Sequence, residues 1–258
     1  MVIRRMREHV AHHNWFAVAI DLVIVVIGVF LGIQVNNWNQ GRVERDQARQ
    51  YRAMLRDDLD DNLANLADRK KYYEWVRKEA LATLADLQHP ASELGERFLV
   101  DSYQASQMQP WALKRSTYDE IVSTGTMANI GNPLLREQIA NYYVSAEVTG
   151  VNIAALPAYR ENLRRVMPYP VQQSVRERCA ERVVQDNRGV VRVVVPNACT
   201  LQLDPSMVRQ AVTQVRDWPG LDLDLNRWLV DLDQKRLSVD LISMRARKLE
   251  ALLAAADR

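Results

Sequence analysis

Phe16 to Val35 reads FAVAIDLVIVVIGVFLGIQV, twenty residues with one charge, Asp21. About 20 apolar residues are what a helix needs to cross a hydrocarbon core ~30 Å thick. Trp15 and Trp38 bracket the run. Their separation, roughly 34 Å at 1.5 Å per residue, suits tryptophans at two opposite interfaces. Asn36, Asn37 and Asn39 then mark an exit into water. The pattern predicts a transmembrane helix over 16–35, preceded by a short segment, 1–15, and followed by a water-soluble domain over 41–258. A cleaved signal peptide is the competing reading, because the uninterrupted apolar run Leu22 to Ile33 also fits a signal core. The residues after it, Gln34-Val35-Asn36-Asn37-Trp38, offer no small-x-small cleavage site.

Asp21 admits two readings. An ionisable residue inside a membrane span points by default to function. Yet it stands six positions past Trp15, about 9 Å along a helix, where a small displacement keeps it hydrated. Arg7, His12 or His13 would also serve as its partner. Trp15, Asp21, Asn36, Asn37, Trp38 and Asn39 are thus candidates for an interface or interaction role.

The positive-inside rule leaves the orientation nearly tied: Arg4, Arg5 and Arg7 precede the span, and Arg42, Arg45, Arg49 and Arg52 follow it. The two cysteines, Cys179 and Cys199, bear on the choice. Gln185 to Gly189 reads as a turn between Val183-Val184 and the β-branched run Val190 to Val195. With Gln185 facing Val190, Cys179 falls opposite Pro196, close to Cys199. A disulfide closing this hairpin (near 183–195) is the favoured reading, two reduced thiols the other. Disulfides persist in oxidising compartments, which places the N-terminus in the cytoplasm and the domain in the periplasm, anchored in a bacterial inner membrane. Two distant cysteines lack the four ligands of a structural zinc site.

The expected fold is mainly α, a membrane helix followed by an antiparallel bundle of long helices with one small β-hairpin. Gly41 to Leu87 holds no proline, and Tyr51, Leu55, Leu59, Leu63, Leu66, Tyr73, Val76, Ala80, Leu84 and Leu87 recur with a period of 3.6. Ser92 is placed to cap a second helix reaching about Met108, and a short helix spans Ser116 to Thr124, stopped by Gly125. Asn132-Pro133 and Asp204-Pro205 are cap-plus-proline starts. The helix from Asn132 is expected to reach Met167 with a kink or split at Pro157. From Leu221 to Leu253, Leu221, Leu225, Trp228, Leu232, Lys235, Val239, Ile242, Ala246, Leu249 and Leu253 form a heptad seam with one polar member. The seam is read first as packing against other helices of the same chain, with a homo-oligomer through 221–253 as the other reading.

Several function classes are disfavoured. Thirty-four basic against 32 acidic residues leave a net charge of +2, so no basic excess argues for nucleic acid. Only His89 stands in the soluble domain, too little for a hydrolase triad, and no phosphate loop appears. No cofactor, metal or catalytic set is expected. Asp57, Asp58, Asp60 and Asp61 read as a solvated charged face.

Val26-Ile27-Gly28 and the stretch from Leu31 through Gln34-Val35-Asn36-Asn37-Trp38-Asn39 resemble an uncharacterised family of bacterial single-pass membrane proteins. Its members carry a membrane helix ending in a Gln-x-Asn-Asn-Trp-Asn exit motif, followed by a long helix. A looser likeness covers Ser116 to Tyr143, with Ser123-Thr124-Gly125, Asn132-Pro133-Leu134 and Asn141-Tyr142-Tyr143. The resemblance implies the topology and no activity. The leading expectation is a non-enzymatic anchored protein that contacts the lipid bilayer and a protein partner of unknown identity. A periplasmic ligand-sensing bundle acting through a partner protein is the alternative.

Overall fold

A computed structural model of the chain describes residues 15–109, 112–185, 191–196 and 199–257. Two compact units divide after Tyr51. His9, His12 and His13, the arginines before them, and the turn residues 186–190 lie outside the described residues.

Helix α1 runs without interruption from Trp15 to Asp86. No proline stands in that span, so every backbone N–H past the first turn can donate four residues back. Its N-terminal part includes a stretch long and apolar enough to cross a membrane. Pro90 ends the run, after Leu87, Gln88 and His89 have bonded back to Thr83, Ala85 and Asp86.

The unit over 52–258 adds α2 (Glu96–Ala105) after a one-turn 3₁₀ segment (Ala91–Glu93), then α3 (Ser116–Ser123) and a second 3₁₀ turn (Thr126–Asn129). It continues with α4 (Pro133–Ala154), α5 (Ala158–Val166), α6 (Tyr169–Arg178), strands β1 (Arg182–Gln185) and β2 (Val191–Val194), α7 (Pro205–Arg216) and α8 (Leu221–Ala256). The cap-plus-proline starts behave as expected. Asn132 accepts from the Leu135 N–H at 2.9 Å, and Asp204 accepts from that of Ser206 at 2.7 Å. Gly125 takes φ 70° and stops α3. Pro157 splits the helix after Asn132 into α4 and α5.

Ser92 does not cap α2. It lies inside the 3₁₀ turn, and α2 starts after Gly95. The helix also stops at Ala105, short of Met108, because distant side chains claim its last carbonyls. The Trp228 indole donates to the carbonyl of Ala105 at 2.7 Å, Arg160 to that of Ser106 at 2.6 Å, and the Tyr159 hydroxyl to that of Ser102 at 3.0 Å. Lys235 likewise closes α4, its Nζ donating to the carbonyls of Asn152 and Ile153 at 2.7 and 3.1 Å.

All ten residues of the α8 seam are buried. The seam faces α4 and α5 in its own chain, so its apolar area is covered without a second copy. Ion pairs tie α8 to α1 in opposite directions: Arg52 and Arg56 to Asp257, Lys70 to Asp240, and Arg77 to Asp233, at 2.7–3.0 Å.

Helix α1 buries more than its apolar stripe. Asp58, Asn62, Arg69, Glu79 and Thr83 are all buried beside Leu55, Leu59, Leu66, Val76 and Ala80. Asp58 therefore departs from the expected solvated face, on which Asp57 and Asp60 do lie. It accepts from the Thr117 N–H at the start of α3 (3.2 Å) and pairs with Lys114 (3.0 Å), so its charge is spent capping a helix.

The hairpin pairs antiparallel with Gln185 opposite Val191, one residue off the expected register. A one-residue slip would turn Arg192 to the other face and break its ion pair with Asp68 at 3.5 Å. Cys179 ends α6, its N–H bonded to the Val175 carbonyl at 2.8 Å, and forms the disulfide with Cys199 across a Cα separation of 5.4 Å.

Candidate functional site

Helix α4 carries Ala146, Gly150 and Ala154 at i, i+4 and i+8, one row on one face. Opposite the row, α1 presents Leu66 and Arg69, and residues 112–115 close a third side. The small side chains leave a half-open cavity of about 390 Å³. Segment 112–115 is held in place by Asn62. Its amide donates to the Lys114 carbonyl at 2.8 Å and accepts from the Lys114 N–H at 2.7 Å, so one side chain satisfies both groups of a single residue's backbone.

Arg69 is a buried charged group of the lining, 2% exposed. Its Nη2 donates to Asn65 Oδ1 at 3.3 Å, and burial holds the guanidinium pKa below its ordinary value. The neighbouring Tyr73 is pushed up to about 12 by the same burial. The rim charges are matched. Lys114 pairs with Asp58 and Asp61, which raise its pKa, and Arg115 pairs with Glu147 and Asp119 at 3.1 and 3.0 Å, with the same effect. Tyr143 lines the wall and stacks on Tyr118, centroids 4.3 Å apart.

On the other flank of α4, two separate recesses lie along its contact with α8. Asn141, Val144 and Ser145 face Arg245 and Lys248 at one end, and Asn152 and Leu156 face Arg227, Asp231 and Gln234 at the other. Arg245 bonds to Ser145 across the first recess. Val144, Val148, Leu241 and Met244 along this pair are each more than half exposed.

A second polar cluster joins α1 to α2. Arg97 bridges Glu79 at 3.2 Å and Asp101 at 2.7 Å. Asp101 is raised to about 7, first by burial and then by the hydrogen bond to Glu79. A third cluster places the Arg164 guanidinium 3.6 Å over the Tyr103 ring, with burial lowering its pKa to about 10. Neither cluster lines the cavity or the two recesses.

The residues singled out in the sequence are elsewhere. Trp15, Asp21, Asn36, Asn37, Trp38 and Asn39 are exposed along α1 in the unit over 1–51. At 100° per residue, 36–39 ring the helix rather than sharing a face. Cys179 and Cys199 meet in the disulfide. Sequence reading missed Arg69, Asn62 and the small row of α4. The row's spacing of four was the available signal.

Residues 21–149 match a family of unknown function (DUF6090). The chain belongs to this family. The matched span takes in α1 from Asp21, α2, α3 and α4 as far as Thr149, and so Asn62, Arg69, Lys114 and Ala146. The disulfide, the hairpin, α7 and α8 lie beyond it. No curated protein and no solved structure matches the chain.

Proposed function

We propose that the chain is a single-pass protein of a bacterial inner membrane, with a cytoplasmic N-terminus and a periplasmic antiparallel helical bundle. The bundle is non-enzymatic and binds another protein. The apolar stretch of α1 supports the anchor. The Cys179–Cys199 disulfide supports the oxidising compartment. The observation that carries the interaction is the set of exposed apolar side chains on the α4–α8 pair, Val144, Val148, Leu241 and Met244. An amphipathic partner helix lays its apolar face on such a surface. The α8 seam over 221–253 is covered inside the chain, so a second copy would have to use this outer row instead.

A photo-crosslinking amino acid at Val148 or Leu241, in the full chain in cells, tests the reading. It expects one discrete adduct from both positions, lost on Val144→Asp with the melting temperature unchanged. Absence of an adduct at both positions would count against it. The α1–α4 cavity favours a second reading, a ligand-sensing domain acting through a partner protein.

A further inference from the structure

The concavities along α4 differ in how their charges are matched. In the α1–α4 cavity, Lys114 and Arg115 are bound to carboxylates of the chain, and Arg69 is bonded to Asn65. In the recess at 152–156, of about 250 Å³, Arg227 pairs with Asp231 at 3.3 Å, and Lys235 is held by the carbonyls of Asn152 and Ile153. The recess at 141–145, of about 370 Å³, is the exception. Arg245 and Lys248 line it with Asn141 and Ser145, and no carboxylate stands among its described lining residues. Arg245 bonds only to the neutral Ser145 hydroxyl, which turns its own proton to the Asn141 carbonyl at 2.6 Å. Lys248 has no bonded partner among the described residues.

Leu241, Arg245 and Lys248 stand at i, i+4 and i+7 on α8, and Asn141, Ser145 and Val148 repeat that spacing on α4, so each trio shares a face. The cationic recess thus continues into the exposed apolar side chains Val144, Val148, Leu241 and Met244. We propose that the partner presents an acidic amphipathic helix, its apolar side on these four residues and a carboxylate in the recess between Arg245 and Lys248. The proposal deepens the protein-binding reading and rests on it. Charge complementarity at the edge of an apolar contact selects the partner and fixes its register. The recess at 152–156 carries its own carboxylate and offers no such attraction, so the partner's acidic end is directed to one end of the surface alone.

The test uses the full chain in cells, with p-benzoylphenylalanine in place of Val148 and the photo-adduct identified by mass spectrometry. Arg245→Gln with Lys248→Gln is expected to lower the yield of the protein adduct roughly fivefold, as the loss of two exposed ion pairs does. Arg227→Gln, in the recess whose charge is already matched, is expected to change it less than about twofold. An equal fall in both would trace the effect to the overall charge of α8 and overturn the acidic-partner assignment. An undiminished yield in the double variant would overturn it as well, leaving apolar docking in place. An adduct to lipid instead of protein would overturn it in favour of an anionic membrane surface. No adduct in the parent chain, from Val148 or from Leu241, would overturn both the assignment and the protein-binding reading. Melting temperature checks the fold of the double variant. Should it unfold, Lys248→Glu alone decides, with a fall of roughly threefold expected and an unchanged yield overturning the assignment.

Discussion

Helices α1 and α8 bury seams of opposite character. The α8 seam is apolar at nine of ten positions, with Lys235 the exception. The α1 face adds Asp58, Asn62, Arg69, Glu79 and Thr83 to its leucines. An apolar seam is stabilised by area removed from water, and tolerates whatever covers it. A polar seam is stable only when each group meets a particular partner, and leaving one unmet costs more than the bond contributes. Helix α8 is therefore held by bulk, and α1 by address.

The contrast predicts different responses to truncation. Leu232→Ala, at the middle of the α8 seam, should cost about 2–5 kcal/mol, the range for a fully buried leucine, read from denaturant midpoints. A cost under about 1 kcal/mol would mean that α8 is loosely seated. On α1, Asn62→Ala should cost about 2 kcal/mol, since it strips both backbone groups of Lys114 of their partner. Asn62→Leu should do no better despite its greater apolar area. Recovery in the leucine variant would show that the α1 face is held by bulk after all.

A smaller, pH-dependent effect sharpens the same comparison. The Asp101 carboxyl is raised from its ordinary 3.8 to about 7, so the folded chain keeps its proton where the unfolded chain has lost it. Stability from this group is complete below about pH 4 and is lost as pH rises toward 7. Asp204 and Asp233 are lowered, by Ser206 and by Arg77, and act below that window. Melting temperature should thus fall between pH 4 and 7, and fall less in Asp101→Asn. An identical slope in the variant would remove Asp101 as the cause.

The same distinction explains what could be read from the sequence. The ten α8 positions follow from spacing alone, because apolar periodicity needs no knowledge of the partner. The caps Asn132 and Asp204 are local and equally legible. Asp58 is not: its burial depends on Thr117 and Lys114, more than 50 residues away in sequence. The end of α2 depends on Trp228 and Arg160, and the hairpin register on Asp68. Arg69 looks like any surface arginine until α4 lies across it. The cavity was half legible, as a row of small residues with nothing in the sequence to say what faced them.

The middle of α1 and the C-terminal end of α8 are joined by Arg52 and Asp257, 205 positions apart. Synthesis delivers α1 long before α8. Until α8 arrives, the carbonyls of Ala105 and of α4's last turn await Trp228 and Lys235. A nascent chain halted anywhere between would display both unmet seams. The pairing of α1 with α8 ties completion of the unit over 52–258 to the arrival of α8.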